Sequence, residues 1–531
     1  MSDNITLLLV LVFYLAVIAY LGYRGYKNTV SHNDYLVAGR SVHPFVMAMS
    51  YGAAFISTSA IVGFGGMAGY FGMAMLFLPL LNIVVGVFIA FVFFGKATRR
   101  IGQNLNSCTF PEFMGMRFQS GKLQFVSALI ITLFMPLYCA VVLIGGARFI
   151  GEITPLSYET ALLAFALFVM CYVVIGGLKG VMYIDALMGS IMAVGMLFLV
   201  VMSYVEAGGF ISAHAALTDM VDLVPENVAK IGHAGWTQMP TFNSPWWWTL
   251  VTSLMLGVGI GALAQPQLVV RFMTVKGTKQ LNRAVLIGSI FIFITAGGAY
   301  LVGALSNVWF MKNGGKIAID AAGGNPDRII PIFIDKAMPK FFVYIFAVTL
   351  LSAAMSTLSA LCHVMGSSIG HDIAGKFCSG NKSATRLTKA GIIWGVFCSI
   401  VVAFLLPDGI VARGTAIFFG ICAAAFLPAY SAAIYWKRAT LSGVWASMLT
   451  GTLSSAFCLV FMHRAESKAL GICEKIFGRT ELISLHPWPY VDSLVISLPL
   501  SLLALVVVSL LTRPPTPEHI EKCFAVKKND D

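Results

Sequence analysis

Apolar residues recur along the chain in runs of about 20, the length that a helix needs to cross the hydrocarbon core of a bilayer. Charged residues fall mainly in the segments between these runs. The pattern predicts an all-α polytopic membrane protein with about thirteen transmembrane helices. Their expected positions are 5–26, 43–69, 72–95, 123–148, 158–177, 183–207, 246–273, 281–305, 341–369, 385–406, 409–436, 441–461 and 491–511.

The composition agrees with this pattern, because 58% of the residues are hydrophobic and only 11% are charged. Soluble proteins carry about a quarter charged residues. The first apolar run, from Ile5 to Tyr20, lacks a basic leader and a clear cleavage site, so we interpret it as a retained helix. The ten cysteines show no CxxC spacing, and we interpret them as small apolar residues.

The net charge of +12 does not indicate a nucleic-acid partner, because the basic residues are dispersed among the loops. If the N-terminus lies outside the cell, 23 of the 35 Lys and Arg residues fall on the cytoplasmic side. That distribution obeys the positive-inside rule. We therefore predict a multi-pass protein of the plasma membrane, with an outside N-terminus and a cytoplasmic C-terminus.

Two spans contain segments that weaken a helix, Gly52–Gly66 and Gly257–Pro266, and they begin helices that are five helices apart. Non-helical backbone at membrane depth is tolerated where it is buried in protein or lines a cavity. Paired interrupted helices in two halves of a chain indicate a secondary transporter built from inverted repeats. The alternative is that the small residues merely allow close helix packing.

The predicted spans and repeats divide the chain into six parts. They are a leading transmembrane helix (1–30), a first repeat of five helices (43–207), an extracellular loop (208–245), a second repeat of five helices (246–436), two additional transmembrane helices (437–511) and a cytoplasmic tail (512–531).

An unwound membrane segment exposes carbonyl oxygens, which suit a hard cation such as sodium. The segment "LLSAAMSTLSAL" offers further oxygen ligands, because Ser356 and Thr357 are adjacent and lie about 100° apart on a helix. The carbonyl of Ala353 lies one turn away. The alternative is that both hydroxyls bond back to carbonyls of their own helix.

Four segments, in order, resemble the sodium/solute symporter family: "NDYLVAGRSVHP" (33–44), "VVIGGLKGVMYIDALMG" (173–189), "AQPQLVVRFMTVK" (264–276) and "YWKRATLSG" (435–443). The resemblance implies a five-plus-five inverted-repeat core of the LeuT-like type. It also implies sodium-coupled uptake by alternating access.

The resemblance further implies a sodium site, carried over position by position. The carbonyls of Ala53 and Ile56 would come from the first broken helix. The carbonyl of Ala353 and the hydroxyls of Ser356 and Thr357 would complete the site. Because both hydroxyls are present, the coupling ion is expected to be sodium rather than a proton, and no organic cofactor is expected.

Asp185 and His363 are two further residues within predicted spans that could serve transport. Asp185 matches an acidic residue that the family places on the sodium exit path, although an interfacial role beside Lys179 is the alternative. His363 lies two turns after Ser356 on the same face. It either touches the cavity or occupies an ordinary core position.

The substrate is expected to be a small organic solute. Phe55, Val258 and Ala262 differ from the residues of proline-transporting members, and Ala60 differs from the glutamine of sugar-transporting members. The segment "IGGARFIGEITPLSYETALL" (144–163) resembles pantothenate permeases, and "RFMTVK" resembles carriers of acetate and other monocarboxylates. These features favour a small carboxylate, in a cavity formed by Phe55, Ser57, Thr58, Ser59, Val258, Ala262 and Gln267.

Other functions remain open at this point. A sodium-coupled amino acid or sugar symporter would use the same fold, and an ion-conducting channel would use the same broken helices. A membrane enzyme is disfavoured because no HExxH motif or pair of intramembrane aspartates is present. A sensor would usually carry a signalling domain, for which the polar tail is too short. The expected partners are the sodium ion, the small solute and the lipid bilayer.

Overall fold

The computed structural model describes residues 2–27, 32–376 and 381–526. Within these residues the fold is all-helical, with no β-strand. Residues 1 and 28–30 of the predicted leading segment, and 527–531 of the predicted tail, lie outside the described residues.

The first half of the chain forms ten principal helices. They are α1 (Ser2–Lys27), α2 (His32–Val37), α3 (Pro44–Phe55), α4 (Ser59–Phe71), α5 (Met73–Leu105), α6 (Phe110–Arg117), α7 (Gly121–Ile153), α8 (Tyr158–Val174), α9 (Gly177–Glu206) and α10 (Phe210–Asp219).

The second half forms twelve more. They are α11 (Pro245–Ala264), α12 (Pro266–Phe272), α13 (Thr278–Gly314), α14 (Ile329–Ala337), α15 (Lys340–Ile373), α16 (Asn381–Leu405), α17 (Val411–Tyr435), α18 (Leu441–Phe461), α19 (Arg464–Leu470), α20 (Ile472–Phe477), α21 (Ser493–Leu511) and α22 (Pro517–Phe524). Single-turn helices lie at Ala38–Arg40, Met220–Leu223, Glu226–Ala229, Ala318–Ala321, Pro326–Arg328 and Trp488–Tyr490.

Ten helices in the described chain are long and apolar enough to cross a membrane, and the bent pair of α3 and α4 makes an eleventh candidate. The apolar parts of α1 and α8 are shorter. The all-α polytopic prediction is confirmed, whereas the count of thirteen spans is not.

Several predicted boundaries are wrong, and the two largest extensions lie at the ends of α5 and α13. The helix expected at 72–95 continues to Leu105, and the helix expected at 281–305 continues to Gly314. Hydropathy marks where a helix leaves the apolar layer, but backbone hydrogen bonding continues as long as the residues allow it. The last turns of α5 carry Lys96, Arg99 and Arg100, which favour helix while lying outside the hydrophobic run.

The first membrane-depth break separates α3 from α4, whose axes differ by 55°. Ile56 leaves the helical conformation, with φ −90° and ψ 102°, after its N–H has bonded to the carbonyl of Gly52. The run of Ser, Thr and Gly around this position has weak helix propensity. A predicted span is therefore interrupted near its middle.

The second break lies between α11 and α12, at Gln265, which has φ −71° and ψ 115°. Pro266 follows as the first residue of α12. Proline disfavours the helical conformation in the residue before it and has no N–H to donate, so α11 ends here and α12 begins.

The long helix α15 lies at the centre of the molecule. It packs against α3, α7, α16 and the helices of residues 158–206. The second half of the first broken helix, α4, packs closely on α13. The two helices after residue 437, α18 and α21, pack on each other and on α17.

Candidate sodium and solute site

The hydroxyl groups of α15 meet the end of α3. Ser356 Oγ donates to the carbonyl oxygen of Ala53 at 2.8 Å, and Thr357 Oγ1 donates to the same oxygen at 3.2 Å. Ser356 Oγ also lies 3.2 Å from the carbonyl oxygen of Ala353, and Thr357 Oγ1 lies 3.3 Å from that of Ala54. All five residues are buried. Four of the five predicted sodium ligands are thus brought together.

The break in the backbone explains why these carbonyls are available. The last carbonyls of a helix have no N–H four residues further on to accept from. Since α3 ends at Phe55, the carbonyls of Ala53 and Ala54 lose their helical donors. Hydroxyl groups from α15 take the place of those donors.

Ile56, the fifth predicted ligand, lies at the break and is buried. Neither the Ser356 nor the Thr357 hydroxyl donates to its carbonyl. The structure therefore places Ile56 next to the group of four without joining it to them.

Two tyrosines fix the position of α15. Tyr172 Oη donates to the carbonyl of Met355 at 2.7 Å, and Tyr14 Oη lies 2.8 Å from Ser352 Oγ. Sequence reasoning missed both, because the contacts join residues that are more than 180 positions apart. Their phenol groups hold α15 in position next to the hydroxyl pair.

Asp185 lies at the intersection of four helices. Its carboxylate accepts hydrogen bonds from Ser50 Oγ at 3.0 Å, Ser359 Oγ at 3.2 Å and the Arg271 guanidinium at 2.9 Å. Ser359 Oγ also lies 2.9 Å from the carbonyl oxygen of Ser356. The Ser359 side chain therefore lies between the carboxylate and the backbone of Ser356.

Asp185 does not pair with Lys179, the residue that the interfacial alternative placed beside it. Asp185 is fully buried, and Lys179 forms an ion pair with Asp34 at 3.7 Å instead. Arg271 lies within the predicted span 246–273 but was not predicted as a site residue, and its side chain is 1% exposed. The helix that follows Pro266 carries it inward, and its Nε donates to Ser50 Oγ at 3.0 Å. Its position after the break was visible in the sequence, but its pairing with Asp185 depends on how the helices pack.

Two predicted solute-cavity residues, Phe55 and Ala262, lie close to the same position on α5. A Cβ added at Gly86 on α5 would lie 3.1 Å from Phe55 Cε1 and 3.5 Å from Ala262 Cβ. The Phe55 ring stacks on Phe419 of α17, with centroids 6.1 Å apart. Tyr138 of α7 approaches Phe419 edge-on at 5.4 Å. Phe419 and Tyr138 were not predicted, because each belongs to an ordinary apolar helix.

The polar residues of the first break differ in their partners. Thr58 Oγ1 donates to the carbonyl of Val142 on α7 at 2.9 Å, and Ser57 Oγ accepts from the N–H of Ser59 at 3.0 Å. Ser59 Oγ is buried without a hydrogen-bond partner among the described residues. Of the three hydroxyls in this segment, that of Ser59 is therefore the one without a hydrogen bond among the described residues.

The remaining predicted residues are buried near the second break. Val258 lies one turn before Ala262 in α11. Gln267 Nε2 donates to Gln265 Oε1 at 3.0 Å. His363, which was considered as a cavity residue, packs its ring 5.6 Å from that of Tyr35 on α2.

Two interrupted helices, one of them bonded to a hydroxyl pair on a central helix, define a membrane transporter with discontinuous helices. The family model described as the sodium:solute symporter family matches residues 35–451. The chain therefore belongs to the sodium:solute symporter family. This is a family of sodium-coupled transporters and not of enzymes.

Relatives match over most of the chain. The chain is 27% identical over 481 residues to the osmoregulated proline transporter OpuE of Bacillus subtilis, covering 90% of this chain and 92% of that protein. It is 29% identical over 463 residues to the sodium/pantothenate symporter of Haemophilus influenzae, covering 84% and 89%.

The structure is similar to that of a Na⁺-coupled sialic acid symporter solved in a substrate-bound outward-open state. The TM-score is 0.72 at 18% identity, over 96% of this chain and 98% of that one. At this identity the likeness concerns the fold alone, and it confirms the predicted transporter fold class.

Proposed function

We propose that this protein takes up a small organic solute by sodium-coupled symport, with sodium bound where α15 meets the end of α3. The proposed ligands are the carbonyls of Ala53, Ile56 and Ala353 and the hydroxyls of Ser356 and Thr357. The observation that supports this most directly is that both hydroxyls converge on one carbonyl left without a helical donor. Uncharged oxygen atoms of this kind suit a hard monovalent cation.

Asp185 is proposed to lie on the path by which sodium leaves. Ser359 connects its carboxylate to the backbone of Ser356, a proposed ligand. An acidic residue buried at membrane depth is costly and usually functional. When no sodium ion is near, the ion pair with Arg271 balances the negative charge of the carboxylate.

The transport cycle is proposed to be alternating access, in which the repeats at 43–207 and 246–436 move against each other around the site. The helices of 437–511 would remain outside this exchange. The loop 208–245 and the N-terminus would face the exterior, and the tail the cytoplasm, of the plasma membrane.

The solute is proposed to be a small carboxylate, such as pantothenate or a monocarboxylate. The proposed cavity contains Phe55, Ser57, Thr58, Ser59, Val258, Ala262 and Gln267. Arg271 is already paired with Asp185, so the charge of an anionic solute would be balanced by co-transported sodium. One relative is named a pantothenate symporter, which supports this class.

Proline is a second candidate, because OpuE is named a proline transporter. It is less well supported, since Phe55 fills the position where proline-transporting members have an aspartate. Neither broken helix carries a carboxylate that would balance the ammonium group of proline.

The experiment is uptake into proteoliposomes under an inward sodium gradient. Labelled pantothenate, acetate, pyruvate, proline, sialic acid and glucose are compared with and without the gradient. We expect sodium-driven accumulation of a carboxylate. Accumulation that ignores sodium would contradict the proposal, and bilayer currents far above carrier turnover would indicate a channel instead.

A further inference from the structure

A groove of about 330 Å³ lies on the surface of the helix bundle, where α1 packs against α9. Its lining residues are Leu21, Arg24 and Gly25 of α1 and Lys179 and Tyr183 of α9. The two helices approach closely beside the groove, since a Cβ built at Gly25 would lie 2.5 Å from Gly180 Cα. No residue of the proposed sodium or solute site lines this groove.

The groove faces away from the transport site. Tyr183, which lines the groove, is 49% exposed, whereas Asp185, two residues further on, is fully buried. Successive residues of a helix lie about 100° apart, so these two side chains leave α9 on nearly opposite sides. The groove is therefore on the side of α9 that faces lipid, and its ligand is not the transported solute.

The charged residues of this region are mainly cationic. Arg24 is exposed, and no acidic side chain in the part of the chain that the structure describes pairs with it. Lys179 pairs with Asp34 at 3.7 Å, and its side chain is still 26% exposed. Lys27, one turn after Arg24, is a further exposed cation. These four residues carry three positive charges and one negative charge, which favours an anionic ligand.

An exposed apolar surface on α1 leads to this basic region. Val12 is 55% exposed, Phe13 73% and Tyr20 60%. Such side chains on a membrane helix contact the acyl chains of lipids. Tyrosine is enriched where acyl chains give way to headgroups, and Tyr183 lies in the groove beside the two cations. The groove is therefore placed where a lipid headgroup would lie, on the side of the membrane that is predicted to be cytoplasmic.

We propose that this groove binds the phosphate group of an anionic phospholipid, whose acyl chains lie along the apolar surface of α1. Basic pockets between membrane helices on the cytoplasmic side bind anionic headgroups in this way. The Arg24 guanidinium can donate two parallel hydrogen bonds to phosphate oxygens, and Lys179 supplies a point charge. A zwitterionic phospholipid carries its own compensating ammonium group and is bound less tightly. The lipid links α1, which lies outside the predicted repeats, to the start of the helix that carries Asp185.

The test is native mass spectrometry of the full-length protein purified in detergent. The protein is mixed with equal amounts of dioleoyl phosphatidylglycerol and dioleoyl phosphatidylcholine, which share their acyl chains. Arg24→Gln/Lys179→Gln removes both charges of the groove, and Arg24→Lys/Lys179→Arg preserves them. Lys279→Gln/Arg283→Gln is the matched control, because it removes two exposed basic residues of α13 on the same predicted side of the membrane.

For the wild type and for the matched control, we expect tighter binding of phosphatidylglycerol than of phosphatidylcholine. Arg24→Gln/Lys179→Gln should weaken phosphatidylglycerol binding about 10- to 30-fold, the effect of removing two basic side chains near anionic lipid, and leave phosphatidylcholine binding unchanged. The charge-preserving variant should retain most of the affinity. Added phosphatidylglycerol should raise the unfolding temperature of the wild type but not that of the neutralised variant.

Three results would overturn the proposal. One is equal binding of the two phospholipids by the wild type. Another is stabilisation of the wild type by soluble glycerol 3-phosphate as strong as that by the lipid, which would make a free phosphate the ligand. The third is an equal loss of lipid binding in the groove variant and the matched control, which would indicate diffuse attraction to surface charge. The first two comparisons use the wild type alone, so they decide even if the neutralised variant is unstable.

Discussion

The Asp185–Arg271 ion pair is the clearest residue-scale feature that the sequence did not reveal. Both side chains are essentially unexposed, and Ser50 bonds to each of them. Removing two charges from water is costly, and their attraction offsets that cost only when the geometry and hydrogen bonding are good. The pair therefore ties α9 to α12 and α3 at the centre of the molecule.

Replacing Asp185 by Asn should leave Arg271 buried without a counter-charge and destabilise the protein by about 3–5 kcal/mol. The double variant Asp185→Asn/Arg271→Met should recover much of the loss, since no charge is then stranded. Thermal unfolding of the purified protein in detergent measures both. If Asp185→Asn were as stable as the wild type, the Asp185–Arg271 ion pair would not be formed.

At this scale the sequence predicted part of the site. Ser356 and Thr357 could be named because adjacent hydroxyls on an apolar helix stand out and match a family position. Arg271, Tyr138 and Phe419 could not, because their importance depends on which helices pack together. An arginine after a proline has the same local sequence whether it lies in a loop or in a buried helix.

Among the elements, the contact between α4 and α13 depends on glycine. A Cβ built at Gly303 would collide with the carbonyl oxygen of Gly65, whereas a Cβ at Gly297, on the same helix, would meet no atom within 4 Å. Small residues allow helix backbones to approach closely inside a membrane. The second half of the broken helix, α4, is held in place in this way.

Gly303→Ala should therefore destabilise the protein by about 1–3 kcal/mol, the usual cost of overpacking. Gly297→Ala is the matched control and should be neutral or slightly stabilising, because alanine is the better helix former. Thermal unfolding of the two variants side by side checks this. Equal loss in both would mean that α4 and α13 are not in close contact.

The turn Pro326–Arg328 contacts the start of α17, because the Val411 N–H donates a hydrogen bond to the Asp327 carboxylate. Burial raises the pKa of Asp327 to about 6. The hydrogen bond from the Val411 N–H favours the carboxylate and partly opposes this increase. A carboxyl group with a raised pKa in the folded state takes up a proton more readily there than in the unfolded chain. Its contribution to stability is present at low pH and lost as the pH rises through about 6.

Relative to Asp327→Asn, the wild type should gain stability when the pH is lowered from about 8 to about 5. The asparagine variant cannot titrate at this position, so the difference between the two unfolding curves isolates Asp327. A difference that stays constant across this range would contradict the burial of its carboxyl group.

Element boundaries were harder to predict than element existence. Gly257–Pro266 contains the second break because proline and glycine act locally. The ends of α5 at Leu105 and α13 at Gly314 were missed, since helices extend beyond the apolar layer into polar sequence. Hydropathy reports the surroundings of a helix and not its length.

On the scale of the whole molecule, the sequence was sufficient for the fold class and the family. Repeated apolar spans and four ordered motifs pointed to a sodium/solute symporter, and the family match over residues 35–451 confirms it. The limits of the repeats, the orientation in the membrane and the solute remain predictions. They depend on long-range symmetry, on the surrounding bilayer and on side chains from several helices at once.

The central claim is that sodium binds where Ser356 and Thr357 meet Ala53. Equilibrium binding of labelled sodium ion to the purified protein tests it without knowledge of the solute. We predict saturable binding by the wild type and by the control variant Ser367→Ala. In the wild type the Ser367 hydroxyl donates to the Val364 carbonyl of its own helix. Ser356→Ala/Thr357→Ala should weaken binding at least about 10-fold. Unchanged sodium affinity in this correctly folded double variant would contradict the account.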